Sequence, residues 1–286
     1  MTSAALIAQL GEPWQAGRVA VSGGNLAYHR TGGGSQPMVL AHGLTDNGLC
    51  WARTAQALQS HFDVIMLDAR GHGDSVRMEP GEPSDPARDI AQAIAGLGIS
   101  APIVMGHSVG ALAMSAMAAA DPALPVMVIL EDPPWFAVQP PSNGAKRQQQ
   151  FREQVADFAA MTDAELTALG QHLSPSWHEA EFPAWTLSKR QVDPEALPNW
   201  GAPWRQTVAE ITAPTLLLYG ETERGGLVSP QVAAEAMRIN SQITAVQIEG
   251  AGHNIRRENF AGFLAQVRAF VGTTKVAASQ SGSTGE

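Results

Sequence analysis

The chain of 286 residues predicts an α/β fold: a mostly parallel, twisted sheet with helices on both faces and a helical cap inserted after the sixth strand. Three observations carry this. Short apolar runs alternate with segments of helical period, the pattern of parallel strands covered on both faces. The pentapeptide Gly106-His107-Ser108-Val109-Gly110 joins one apolar run directly to an alanine-rich helical stretch. Residues 134–210 then break the alternation.

In chain order, residues 19–21 and 26–30 read as a hairpin around Ser22-Gly23-Gly24-Asn25. Residues 37–41 form a buried strand ending at His42-Gly43, and residues 51–58 have helical spacing. The strand at 64–67 leads into Asp68-Ala69-Arg70-Gly71-His72-Gly73-Asp74-Ser75. A helix at 85–97 precedes the strand 101–105, and the helix 111–120 follows the pentapeptide. The strand at 126–130 ends in Glu131-Asp132-Pro133-Pro134. The last strands, 215–219 and 244–248, flank a helix at 230–239, and a helix at 254–271 closes the domain. This divides the chain into a core (1–133 and 211–272), a helical cap (134–210, with helical segments at 146–161 and 163–172) and a tail (273–286). The tail is rich in small and polar residues and is expected to be disordered. The cap carries five of the seven tryptophans, Trp135, Trp177, Trp185, Trp200 and Trp204. They either form the cap's own small core or face an apolar pocket, with Trp135 and Trp185 as candidate substrate contacts and His107 at the site rim.

Bulk properties exclude several roles. The net charge of −9 argues against nucleic-acid and anionic-membrane partners. The single cysteine, Cys50, excludes an internal disulfide framework and fits a reducing compartment. Residues 1–11 lack the basic and apolar regions of a secretory signal, and no apolar run approaches the ~20 residues of a membrane span, so a cytoplasmic protein is expected. There is no His-x-x-x-His on a helix and no cysteine cluster, and Gly32-Gly33-Gly34 is followed by Ser-Gln-Pro rather than by a lysine and a helix. Neither a metal nor a phosphate-bearing cofactor is expected.

The pentapeptide is a G-x-S-x-G nucleophile elbow. A strand ends, the chain turns sharply and a helix begins, which lifts the hydroxyl of Ser108 clear of the backbone. A serine hydroxyl is a weak nucleophile at neutral pH and needs a base, itself oriented by a third group.

Four landmarks in order, His42-Gly43, Asp68-x-Arg70-Gly71-His72-Gly73-x-Ser75, the elbow at Ser108 and Gly250-Ala251-Gly252-His253, make the chain resemble the α/β-hydrolase superfamily over about residues 18–271. The resemblance implies His253 as the base, and the backbone N–H groups of Leu44 and Val109 as the donors of the oxyanion hole. Removing one such donor typically costs about 2.7–4 kcal/mol of transition-state stabilisation. It implies loop-shaping roles for His42, His72 and His107, while Asp68 and Arg70 are expected to pin the turn after their strand through charge-assisted hydrogen bonds. The acid stays open. The family's commonest position follows the strand 215–219, where this chain offers Glu221 and Glu223. A minority arrangement, seen in haloalkane dehalogenases and some lactonases, places it after the preceding strand, at Glu131 or Asp132. An ungapped count from Ser108 favours Asp132, with Glu223, Glu221 and Glu131 as alternatives.

The implied function is hydrolysis of a small carboxylic ester or lactone with an apolar or aromatic moiety through an acyl-enzyme. Close alternatives are cleavage of a carbon–carbon bond in an aromatic ring-fission product and cofactor-free perhydrolysis. Haloalkane dehalogenases and epoxide hydrolases carry a carboxylate at the elbow, which this chain lacks. A catalytically silent ligand-binding relative is the remaining class.

Overall fold

The computed structural model describes residues 1–138, 144–197 and 203–281, with side chains described up to residue 272. Trp200 and residues 282–286 of the tail lie outside the described residues.

Among the described residues the sheet has eight strands: β1 (Gln15–Val21), β2 (Gly24–Arg30), β3 (Gln36–Ala41), β4 (Phe62–Leu67), β5 (Ile103–His107), β6 (Met127–Glu131), β7 (Thr215–Tyr219) and β8 (Ile243–Gln247). Their order is β1-β2-β4-β3-β5-β6-β7-β8. β2 runs antiparallel to β1 and β4, and every other pairing is parallel. The expected hairpin forms, with Val21 opposite Gly24 across a two-residue turn. Its strands begin earlier than the apolar pattern suggests, because the first half of β1 is largely exposed.

The helices are α1 (Ser3–Leu10), α2 (Ala52–Leu58), α3 (Pro86–Gly96), α4 (Val109–Ala120), α5 (Gly144–Ala160), α6 (Asp163–Leu173), α7 (Phe182–Gln191), α8 (Trp204–Glu210), α9 (Pro230–Ile239), α10 (Ile255–Glu258) and α11 (Phe260–Ser281). The sequence pattern does not announce α1. Thr2 caps it by accepting from the Ala5 N–H, and Gly11 ends it in the left-handed region. The closing helix differs from expectation in two ways. It breaks at Asn259, whose φ of −135° and ψ of 73° are not helical, giving α10 and α11. It then runs on to Ser281, past the expected end at residue 271, through a stretch without proline to stop it.

Alternate residues of the central strands feed two cores. Met38, Leu40, Met66, Met105 and Leu218 pack on one face against Trp51, Phe263 and Val267. Val39, Ile65, Val104, Val128 and Leu217 pack on the other against Ile90, Met114 and Val232. Strands β4, β5 and β6 are buried throughout, which is why they read as unbroken apolar runs. Helices α5 to α8 lie between β6 and β7 in the chain, and Phe151, Val155, Phe158, Leu166 and Trp185 form a third, smaller core there.

Strand order brings the functional loops together. The parallel strands β3, β5, β6, β7 and β8 are successive neighbours, so their C-terminal ends share one edge of the sheet. Crevices at that edge are where open α/β sheets bind ligands. The pairing of His107 with Glu131 places Ser108 and Asp132 one residue beyond the last matched pair on adjacent strands.

Candidate active site

Ser108 stands between β5 and α4 with φ 55° and ψ −123°. Its N–H donates to Glu131 O at 2.9 Å. The flanking glycines are needed for close approach. A Cβ on Gly106 would lie 2.5 Å from the Gly110 carbonyl, and one on Gly110 would lie 2.5 Å from the carbonyl oxygens of Ala41 and His42. Both contacts are with backbone, so the crossing of strand and helix tolerates no side chain there.

His253 Nε2 lies 3.1 Å from Ser108 Oγ, and its Nδ1 lies 2.7 Å from Asp132 Oδ2. The imidazole is about a quarter exposed, whereas Asp132 is fully buried. With Nδ1–H donating to the carboxylate, Nε2 is left as the acceptor facing the serine hydroxyl. Asp132 itself has φ 42°, a left-handed conformation for a residue with a side chain. Its N–H donates to Leu218 O at 2.8 Å. Its Oδ2 accepts from the Leu227 N–H at 2.8 Å and its Oδ1 from the Val228 N–H at 3.0 Å. The segment after β7, which holds the alternative acids Glu221 and Glu223, thus supplies backbone donors to the carboxylate after β6.

The other carboxylates are engaged elsewhere. Glu131 accepts from the Arg256 N–H at 2.8 Å and from its Nη1 at 3.0 Å. Glu221 accepts from the Gly250 N–H at 2.6 Å and from Arg224 at 2.8 Å, and Glu223 is exposed. The geometry brings Ser108, His253 and Asp132 together and leaves these three apart from the imidazole.

Val109 opens α4, so its N–H is among those with no acceptor inside the helix. Leu44 follows Gly43, where a Cβ would stand 3.6 Å from Ser108 Cβ. Leu44 and Val109 line the same cleft, together with Leu26, Leu67, Ile90 and Ala113. A second, more open groove over α5 and α6 also reaches Leu44 and is lined by Phe158, Met161 and Leu197.

The candidate substrate contacts take packing positions instead. Trp135 is fully buried, and its ring stacks on Trp204 with centroids 5.3 Å apart. Trp185 is buried in the small core of the insertion, with Lys189 Nζ 4.6 Å from its ring. His107 is buried, its Nε2 3.0 Å from His253 O, and burial foremost holds it neutral, well below the usual imidazole range. Indoles of this size fill cores as readily as pockets, and composition does not separate the two uses. Asp68 and Arg70 do fix the turn after β4, but through different partners. Asp68 accepts from the N–H groups of Gly48 and Asp74, and burial raises its carboxyl to about 6. Arg70 pairs with Asp89 at 3.0 and 3.1 Å and donates to Ser22 O at 2.7 Å.

Sequence reasoning missed a buried charge cluster beside the site. Asp46 lies 3.4 Å from Lys189, 3.2 Å from Arg256 and 3.0 Å from Arg257. Burial alone would raise its carboxyl, but Arg257, Lys189 and Arg256 hold it well below the usual range. The cluster joins the loop after Leu44, the end of β6, α7 of the insertion and the turn carrying His253. Glu258 was also missed. It accepts from the N–H groups of Gly252 and Asn254 on either side of His253, a role that an acid in the first turn of α10 could have signalled. Among the described residues no group of three or more His, Cys, Asp or Glu could hold a metal, and no helix is long and apolar enough to cross a membrane.

Comparison with known proteins agrees with this architecture. The chain is 26% identical over 268 residues to the N-formylmaleamate deformylase of Pseudomonas putida, covering 87% of this chain and 93% of that one. It is 29% identical over 237 residues to the pimeloyl-[acyl-carrier protein] methyl ester esterase of Vibrio cholerae, covering 79% and 90%. The crystal structure of the N-formylmaleamic acid deformylase of Pseudomonas putida S16 superposes with a TM-score of 0.69 at 22% identity, over 88% of this chain and all of that one. The model of the alpha/beta hydrolase family matches residues 38–266, and the chain belongs to that family.

Proposed function

We propose that this chain is a serine hydrolase that cleaves a carboxylic ester or lactone through an acyl-enzyme. The observation that carries the reading is the continuous hydrogen-bonded line Asp132–His253–Ser108, with contacts of 2.7 and 3.1 Å. Ser108 Oγ attacks the substrate carbonyl while His253 Nε2 takes its proton. The carbonyl π pair moves to oxygen, and the N–H groups of Leu44 and Val109 receive the resulting negative charge. The tetrahedral intermediate collapses, the leaving alcohol departs with the proton from His253, and water repeats the sequence to free the acid. Asp132 holds the imidazole in the tautomer that leaves Nε2 free and stabilises the imidazolium. The helical insertion acts as a cap over the cleft, whose mainly aliphatic lining favours an apolar substituent. The methyl ester hydrolysis named for the Vibrio cholerae relative supports this reading.

The similarity to N-formylmaleamate deformylase favours a second reading, in which the same acyl transfer opens an N-acyl bond. Intact-mass analysis after treatment with a fluorophosphonate tests the common step. One stoichiometric adduct is expected on the wild type and none on Ser108→Ala. Equal labelling of both, or none on the folded wild type, refutes a serine acyl-enzyme. A panel of aryl esters, lactones and N-formyl amides then separates the two bond types.

A further inference from the structure

The backbone that carries the Leu44 N–H is held by two histidines. Ala69 N–H donates to His42 Nε2 at 3.0 Å, so this nitrogen is an acceptor and bears no proton. The neutral ring therefore carries its proton on Nδ1, which lies 2.8 Å from Gly43 O and donates to it. Burial foremost lowers this imidazole to about 3, in keeping with a neutral ring. Gly43 O and Leu44 N belong to one peptide group, which is planar. A donor on that carbonyl fixes the plane and polarises the amide, so it both aims and strengthens the opposite N–H. The Asp46 N–H donates to the same oxygen at 3.1 Å. The next peptide is held from the other side by His72, whose Nε2 lies 2.6 Å from Leu44 O and whose Nδ1 lies 3.0 Å from Arg70 O, and the single proton of the neutral ring is assigned to the shorter contact. The two rings meet edge to face, with centroids 4.9 Å apart, and both are almost fully buried.

We infer that His42 and His72 are positioning residues for oxyanion stabilisation: they aim the Leu44 N–H through the carbonyls of Gly43 and Leu44. The inference rests on the proposed role of that N–H as an oxyanion donor. Both rings border the cleft, but the role assigned here runs through the two carbonyls. Both tie the loop after β3 to the turn after β4, so the donor is set before any substrate arrives.

Side-chain amides separate this role from bulk packing. The amide nitrogen of asparagine falls near Nδ1 of a histidine, and that of glutamine near Nε2. At position 42 the critical donor is Nδ1, so His42→Asn retains the Gly43 contact and His42→Gln loses it. At position 72 the critical donor is Nε2, so the order reverses. The expected result is His42→Asn and His72→Gln within about threefold of wild-type kcat/KM, and His42→Gln and His72→Asn lower by about 10- to 100-fold through kcat, less than deleting an oxyanion donor costs because the N–H is misaimed rather than removed. Affinity for an aryl trifluoromethyl ketone, whose hemiketal with Ser108 places an oxyanion at the Leu44 N–H, falls by the same factor. Affinity for the corresponding carbinol, which forms no oxyanion, stays unchanged. A common preference for one amide at both positions, or ketone affinity that does not follow kcat/KM, overturns the inference while leaving the serine hydrolase reading intact. A wild type that forms no adduct with the ketone refutes both.

Discussion

Asp132→Asn removes one charge and almost no volume from the candidate triad. Three donors converge on the carboxylate: the Leu227 N–H and His253 Nδ1 on Oδ2, and the Val228 N–H on Oδ1. Asparagine has only one acceptor oxygen. If the amide places it at the Oδ2 position, Val228 N–H faces an NH2 group. If it places it at Oδ1, both Leu227 N–H and the imidazole do, and the ring is driven toward the tautomer with its proton on Nε2, where it cannot act as a base. One or two buried donors are stranded in either case, at about 1–3 kcal/mol each. A fall of about 2–4 °C in Tm per kcal/mol is expected for a domain of this size. The catalytic effect is far larger. Loss of the correct tautomer and of the charge opposite the imidazolium corresponds to about ten-thousand-fold in kcat for triads of this kind, or about 5 kcal/mol at 1.36 kcal/mol per decade. Aryl-ester turnover below the variant's measured Tm is the assay, with Glu221→Gln and Glu223→Gln as controls expected within about threefold of wild type. A folded Asp132→Asn enzyme that keeps a tenth of its activity would refute the assignment of the acid, and a large loss in either control would move the role to that residue.

Two further expectations follow from burial. Trp135→Ala should cost about 3–5 kcal/mol, the usual price of emptying an aromatic core site, with KM for an aryl ester unchanged, since the ring stacks on Trp204 inside the fold. A raised KM with unaltered Tm would return Trp135 to the substrate pocket. His29 is buried with neither ring nitrogen hydrogen-bonded, and burial, only partly offset by Asp74, lowers it to about 4. The unfolded chain takes up this proton near the ordinary value of 6.5. The associated stability is therefore whole above pH 6.5 and is lost as pH falls from there toward 4, by up to about 1.4 kcal/mol per pH unit. His29→Leu should flatten that slope in urea midpoints measured at about pH 7 and about pH 5. An unchanged slope would show that other groups set the acid limb.

Much of this was legible in the chain. The parallel strands read directly because burial on both faces makes them apolar runs, and Ser108 and His253 sit in local patterns that need only their neighbours. The acid was not legible to the same degree. Asp132 and Glu131 are adjacent in sequence, yet Glu131 ends β6 and meets Arg256, while Asp132 leaves the strand at φ 42° and meets His253, a distinction fixed by the backbone turn. The cluster on Asp46 was invisible for another reason. Its cations come from 143 and 210 residues away, and no local pattern links them. Trp135 and Trp185 stayed open between core and pocket because an aromatic residue in an inserted segment has the same composition whichever it faces. The early end expected for the closing helix came from the small and polar composition of the tail, yet the helix continues to Ser281.

The left-handed backbone of Ser108 and Asp132 has a consequence for anyone who evolves this protein. Non-glycine residues in such conformations cost on the order of 1–3 kcal/mol each, and glycine relieves most of that. A library screened only for heat resistance would thus be rewarded for glycine at the candidate nucleophile, Ser108, whereas glycine at position 132 would strand the donors that meet its carboxylate. The hardiest clones would be inert, and selection must demand turnover from the first round if both properties are to survive.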